Sequence, residues 1–160
     1  MKIRIAKKED AEEIIHLVKK VIKEVDYFPL EAEDFDFTVE AEIEFIENTE
    51  LFLVCEINGD LVGSSTLIRG KYKKTAHTAL FGITILNEYT NSGIGTQILN
   101  YMIKHAKKNG IERIELEVFE KNISALKLYR KFGFEVDGKK ENYIKTNKGY
   151  HNLLIMSKSL

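Results

Sequence analysis

Two glycines one residue apart, Gly93 and Gly95, head a stretch whose apolar residues repeat with a helical period. Ile94, Ile98 and Met102 form one row, and Leu99, Ile103 and Ala106 lie beside it. A helix that begins at glycine leaves its first backbone N–H groups uncovered at the positive end of its dipole. Phosphate oxygens bind to such an end. Upstream, Phe81 to Leu86 reads as a buried strand and Asn87 to Ser92 as a short polar loop. Downstream, Lys104, Lys107 and Lys108 fill the last turn and Gly110 follows as a cap. The chemistry implied is the gripping of a phosphorylated ligand.

Three phosphate loops compete for these residues. A Walker loop needs Gly-Lys-Ser/Thr at its end, but Gly95 is followed by Thr96 and Gln97. A dinucleotide fingerprint would use Gly93 and Gly95, with Glu115 or Glu117 about 20 residues on as the ribose acid. Its third small position is the bulky Ile98, however, and six polar-loop residues separate the strand from the glycines. The third loop fits better. The segment Thr90-Asn91-Ser92-Gly93-Ile94-Gly95 resembles the Q/R-x-x-G-x-G/A cradle of the GNAT N-acetyltransferase superfamily, with Thr90 at the position of the usual Gln or Arg. A second block of that family is also matched, by Leu116-Glu117-Val118-Phe119, then Asn122, Ala125, Leu128-Tyr129 and Phe132-Gly133-Phe134. The two blocks cover about residues 79 to 136.

The resemblance implies an acetyl-CoA-dependent N-acetyltransferase that moves an acetyl group to a primary amine by direct attack through a tetrahedral intermediate. Acetyl-CoA is then a co-substrate, and no metal is implied. Its diphosphate would meet Thr90, Asn91, Ser92, Gly93, Ile94, Gly95 and Thr96, while Ile83, Thr84 and Ile85 would line its pantetheine arm and supply oxyanion donors. Asn122 would cap its helix and bond the cofactor. The resemblance makes Tyr129 the general acid for the leaving thiolate, although an amphipathic core tyrosine is the plainer alternative. Glu117 lies 12 residues before Tyr129, the separation at which several related enzymes carry a base; deprotonation through water is the alternative. An acyl-CoA-binding sensor without turnover is the alternative to an enzyme. Cys55 alternates with apolar neighbours and reads as an inert buried thiol, and the four histidines lack metal-ligand spacing.

Positioning these residues requires an α/β (α+β) fold. Strands are expected at 2–6, Leu51–Ile57, Leu61–Ile68, Ala76–Leu86, Ile111–Phe119, from Phe134, and at Tyr150–Ser157, with Gly138 to Gly149 as a polar loop. Helices are expected after the capping carboxylate of Asp10, over Thr38–Asn48, after Gly93, and over Asn122–Lys131. The resemblance arranges them as one N-acetyltransferase domain over 1-160, with a mixed, mostly antiparallel sheet flanked by four helices. Its parallel fourth and fifth strands splay apart. Gly82, inside the fourth strand, reads either as a bulge or close approach or as packing.

With 24 basic and 25 acidic residues, net charge gives no reason to expect nucleic acid. No apolar run is long enough to cross a membrane, and one cysteine fits a reducing, cytoplasmic setting. A homodimer is compatible with the sequence. Residues 24–50 hold eleven acids and no Lys or Arg, with Phe28, Phe35 and Phe37 interleaved. An acidic acceptor wall and a loop folded over something apolar are the expectations there. The acceptor is expected to be a small or polyamine-like amine, or a peptide N-terminus or lysine.

Overall fold

Leu51–Ile57 (β2) is buried from Leu51 through Cys55 on both faces at once, so other elements must cover it on each side. In the computed structural model, which describes all 160 residues, it sits within a seven-stranded sheet. The other strands are Lys2–Ile5 (β1), Asp60–Arg69 (β3), Thr78–Ile85 (β4), Arg113–Phe119 (β5), Glu135–Thr146 (β6) and Gly149–Ser159 (β7). Their order is β1-β2-β3-β4-β5-β7-β6, and every neighbouring pair is antiparallel except β4 and β5.

Helices Ala11–Glu24 (α1) and Val39–Asn48 (α2) cover one face, and Ile94–Lys108 (α3) and Ile123–Lys131 (α4) the other. The side-chain alternation fixes this assignment. Phe45 of α2 meets Phe52 edge-on at 5.7 Å, and Phe52 shares its face with Thr66 and Gly82. Tyr129 of α4 meets Phe81, the neighbour of Gly82, which therefore points to the opposite face. α3 buries Ile94, Ile98, Leu99, Met102 and Ala106, the residues its periodicity marks.

The parallel pairing of β4 with β5 lasts only from Thr78 to Leu80, opposite Arg113 to Glu115. β4 continues to Ile85 against β3 alone. Gly70 N–H donates to the Thr78 carbonyl and Leu86 N–H to the Val62 carbonyl. In an antiparallel ladder hydrogen-bonded pairs recur every second residue, so Leu80, Gly82 and Thr84 also turn their backbone groups toward β3. The N–H and C=O of Ile83 and Ile85 therefore point into the gap that β5 has left. Gly82 sits in regular register, with no bulge.

Two expectations are corrected. Residues 138–149, expected as a polar loop, are mostly strand. β6 and β7 form a long hairpin that turns at residues 147–148, with register shifts at Val136/Gly138 and Lys140/Ile144. As an outer strand β6 is wet on much of both faces, so no apolar alternation marks it, and its charges and irregularities suit an edge. The Asp10 carboxylate does not cap α1. It accepts from Lys7 N–H at 2.7 Å, closing the 3₁₀ turn Lys8–Asp10, and takes both arms of the Arg4 guanidinium.

Glu42 of α2 is 2 % exposed, and burial pushes its carboxyl up to about 7. Because its folded pKa lies above the ordinary 4.5, the native state holds this proton more tightly than the unfolded chain. Stability from this group is therefore greatest below pH 4.5 and declines as pH rises through about 7. Glu42→Gln is expected to raise the urea midpoint at pH 8 and to lose that advantage near pH 4. An equal effect at both pH values would contradict the assignment.

Candidate active site

A cleft of about 690 Å³ opens where β4 and β5 part. Its floor is Ile83, Thr84 and Ile85; its other walls are the end of α1, the segment from Asn87 to Thr96, and α4. The mouth of the gap thus lies between two helix-bearing faces, with the unpaired backbone of Ile83 and Ile85 at its base. Thr84 lines the cleft too, but the ladder directs its backbone groups to β3.

The end of the cleft where α3 begins is built from backbone. Asn87–Tyr89 forms a 3₁₀ turn, after which the Thr90 hydroxyl donates to the Asn87 carbonyl and the Ser92 hydroxyl to the Tyr89 carbonyl. Asn91 and Gly93 are both left-handed, at φ 60° and 87°, and together they swing the chain into α3. No side chain caps α3 and no acid lies in its first turn, so its leading N–H groups meet no competing anion. Gly93, Gly95 and Thr96 line the cleft, as do Thr90 and Asn91. Ser92 is exposed outside the lining, and Ile94 is 1 % exposed and belongs to the core.

α4 carries the second group of expected residues. Asn122 Oδ1 accepts from Ala125 N–H at 3.2 Å, so it is an N-cap, and it also lines the cleft. The Phe132-Gly133-Phe134 signature is the helix terminator. Phe134 N–H returns to the Tyr129 carbonyl and Gly133 N–H to that of Arg130, with Gly133 left-handed at φ 82°. The accompanying apolar contact is Phe134 on Tyr129, with ring centroids 5.9 Å apart. Phe81 closes the other side of that ring at 6.2 Å, nearly perpendicular. Tyr129 is thus fixed by its own helix end; it is 5 % exposed and lines the cleft. Burial raises its pKa, which keeps the phenol protonated at neutral pH.

Glu117 is not brought to this place. It is exposed on β5, paired with Lys140 Nζ of β6 at 2.6 Å, and does not line the cleft. From the acid-rich segment Glu24, Asp26 and Phe28 line it, joined by Val21, Val25 and Tyr27 around the end of α1, and Ser124, Lys127, Leu128 and Lys131 line it on α4.

Of the eleven acids in residues 24–50, only Glu24 and Asp26 reach the cleft. Glu24 accepts from Asn87 N–H, and Asp26 pairs with Lys148 at the β6–β7 turn. Glu42 is buried, Glu50 is held by Arg69 and His105, and Asp34 closes a turn on Glu31 N–H. Phe35 and Phe37 stack on each other and against α2, which leaves Phe28 as the phenylalanine of that segment at the cleft.

Among known proteins, a profile of the acetyltransferase (GNAT) family matches residues 15–134. The chain is 34% identical over 107 residues to the L-amino acid N-acetyltransferase AaaT of Escherichia coli, 66% of either chain. It is 42% identical over 79 residues, 49% of this chain, to the ribosomal protein bS18 alanine N-acetyltransferase of Haemophilus influenzae, of which it spans 53%. The match therefore spans less than two thirds of each of these relatives. A GNAT-family acetyltransferase from Streptococcus pneumoniae superposes with a TM-score of 0.93, 28% identity and 99% coverage of both chains.

A Cβ on Gly95 would lie 2.8 Å from Leu128 Cδ2. Gly95→Ala should therefore displace Leu128, which itself lines the cleft. Overpacking of this kind costs about 1 to 3 kcal/mol. If it falls on the cleft, calorimetric titration with CoA should show affinity weakened about fivefold or more while thermal unfolding stays cooperative. Unchanged CoA affinity would remove this turn from the binding site.

Proposed function

The chain belongs to the acetyltransferase (GNAT) family, and we propose that it transfers the acetyl group of acetyl-CoA to a primary amine. One observation carries this reading. The backbone of Ile83 and Ile85, left without strand partners, faces the same cleft as a buried, protonated Tyr129 and the open N-terminus of α3.

The residues present fit acetyl-CoA. The diphosphate suits the leading N–H groups of α3, with Lys127 and Lys131 near enough to add charge. The amide-bearing pantetheine arm suits the backbone donors and acceptors of Ile83 and Ile85, as an added strand does. The acceptor amine, having lost a proton, attacks the thioester carbonyl carbon. The oxygen gains negative charge that a backbone N–H of the gap stabilises, already oriented by the sheet. Collapse breaks the C–S bond, the Tyr129 hydroxyl gives its proton to the departing sulfur, and the second proton of the former amine, shed through water, restores the phenol. Glu117, tied to Lys140 and outside the cleft, is not needed; water takes the proton from the amine.

The acceptor end joins apolar Val21, Val25, Tyr27 and Phe28 to the carboxylates of Glu24 and Asp26. Such a wall suits an amine beside a compact apolar group. One of these relatives is named an L-amino acid N-acetyltransferase and the other a ribosomal-protein alanine N-acetyltransferase, which supports an amino acid or a peptide alanine as acceptor for this chain.

Incubation with acetyl-CoA and a panel of amino acids, alanine-initiated peptides and polyamines, followed by a thiol-reactive dye, tests the reading directly. CoA release dependent on an amine is expected, and binding without release would leave only a CoA-binding module. Tyr129→Phe should lower kcat by about a hundredfold with little change in the KM for acetyl-CoA. Wild-type turnover in that variant would reduce Tyr129 to a packing residue. Glu117→Gln should keep the acidic limb of the pH–rate profile; its loss would restore Glu117 as the base.

A further inference from the structure

Thr90 stands where the resembled loop carries Gln or Arg, so this chain lacks a long side-chain donor at the first position of its phosphate turn. The small hydroxyls nearby do not replace it. Thr90 spends its own on the Asn87 carbonyl at 2.7 Å, and Ser92 spends its own on the Tyr89 carbonyl. Between them, Asn91 is left-handed and its side chain leaves the loop. Its Oδ1 accepts from Ser124 Oγ at 2.9 Å, across 33 residues, in the first turn of α4.

We propose that Ser124 orients the Asn91 carboxamide so that its Nδ2 donates to the diphosphate of acetyl-CoA, supplying the donor that Thr90 does not. The inference rests on the acetyl-CoA reading above. The argument is one of polarity. An asparagine side chain offers an acceptor oxygen and a donor nitrogen, and only the nitrogen suits an anion. With Oδ1 turned to the Ser124 hydroxyl, the donors that Asn91 keeps for an anion are its Nδ2 N–H pair. A free carboxamide would have to be selected from rotamers and flips on binding, and that selection weakens affinity. Asn91 also tolerates the left-handed backbone that the turn requires. Both residues line the cleft with Gly93 and Gly95, and Ser124 ties the phosphate turn to the helix that carries Tyr129.

The test compares two acetyl donors on the full chain: acetyl-CoA, and S-acetylpantetheine, which has the same thioester and arm but no diphosphate. Ser124→Ala should lower kcat/KM for acetyl-CoA by about threefold to tenfold, the range for one net hydrogen bond. The loss should be confined to that donor. Asn91→Gly keeps the left-handed turn and should give the same selective loss, with the double variant no worse than either single one. Ser124→Thr, which retains the hydroxyl, should recover most of the acetyl-CoA efficiency. Equal losses with both donors, or none with either, would overturn the proposal. A wild-type chain that transfers from neither donor would instead overturn the acetyltransferase reading, and this inference with it.

Discussion

β4 and β5 stop pairing after Leu80 and Glu115 although both strands continue, and most of the site follows from that divergence. A sheet normally satisfies its backbone groups internally, because a buried N–H or C=O without a partner is costly. At Ile83 and Ile85, in the middle of the sheet, these groups face an open cleft instead of a strand. The gap is kept open by what is wedged beside it. α4 lays Leu128 against Gly95 and sets the Tyr129 ring between Phe81 and Phe134. β5, meanwhile, stays paired with β7 along its whole length, so its other edge is the one that leaves β4. The unpaired stretch of β4, the start of α3 and the Tyr129 side chain meet at this one gap.

Electrostatics divides the cleft in a way that net charge does not reveal. Where α3 begins, the cleft presents neutral N–H groups and a helix dipole, with no acid in the first turn of α3 to oppose an anion. Lys127 and Lys131 stand on the adjoining wall. At the other end the acid-rich segment from 24 to 50 is largely committed elsewhere: to ion pairs at Glu50, a turn at Asp34, and a buried position at Glu42. The acids that do reach the cleft are Glu24 and Asp26, softened by Asn87 N–H and by Lys148.

Features with a strong period or an obligatory residue were legible in the sequence. α3 could be placed from its apolar rows and glycines, and the Phe132-Gly133-Phe134 end of α4 turns out to be a helix terminator with a physical reason for each residue. The start of β6 near Phe134 was legible, but its continuation through residues 138–146 was not, because an edge strand wetted on both faces has no alternation to read. Neither was the separation of Ile83 and Ile85 from Thr84, since which backbone groups face the gap depends on the register with β3. Glu117 shows the limit of spacing arguments. Its distance from Tyr129 along the chain suits a base, but Lys140 comes from a hairpin the sequence presented as a loop. Ser124 is an unremarkable serine until its partner 33 residues away is seen.

On the proposed reading, acetyl-CoA occupies the backbone donors that Ile83 and Ile85 turn into the gap. Amide hydrogen exchange resolved by residue tests it most directly. In the free protein the N–H groups of Ile83 and Ile85 should exchange much faster than that of Thr84, which bonds β3 between them. On addition of acetyl-CoA they should become protected while Thr84 changes little. Slow exchange at Ile83 and Ile85 in the free protein, or fast exchange that acetyl-CoA leaves untouched, would contradict the account.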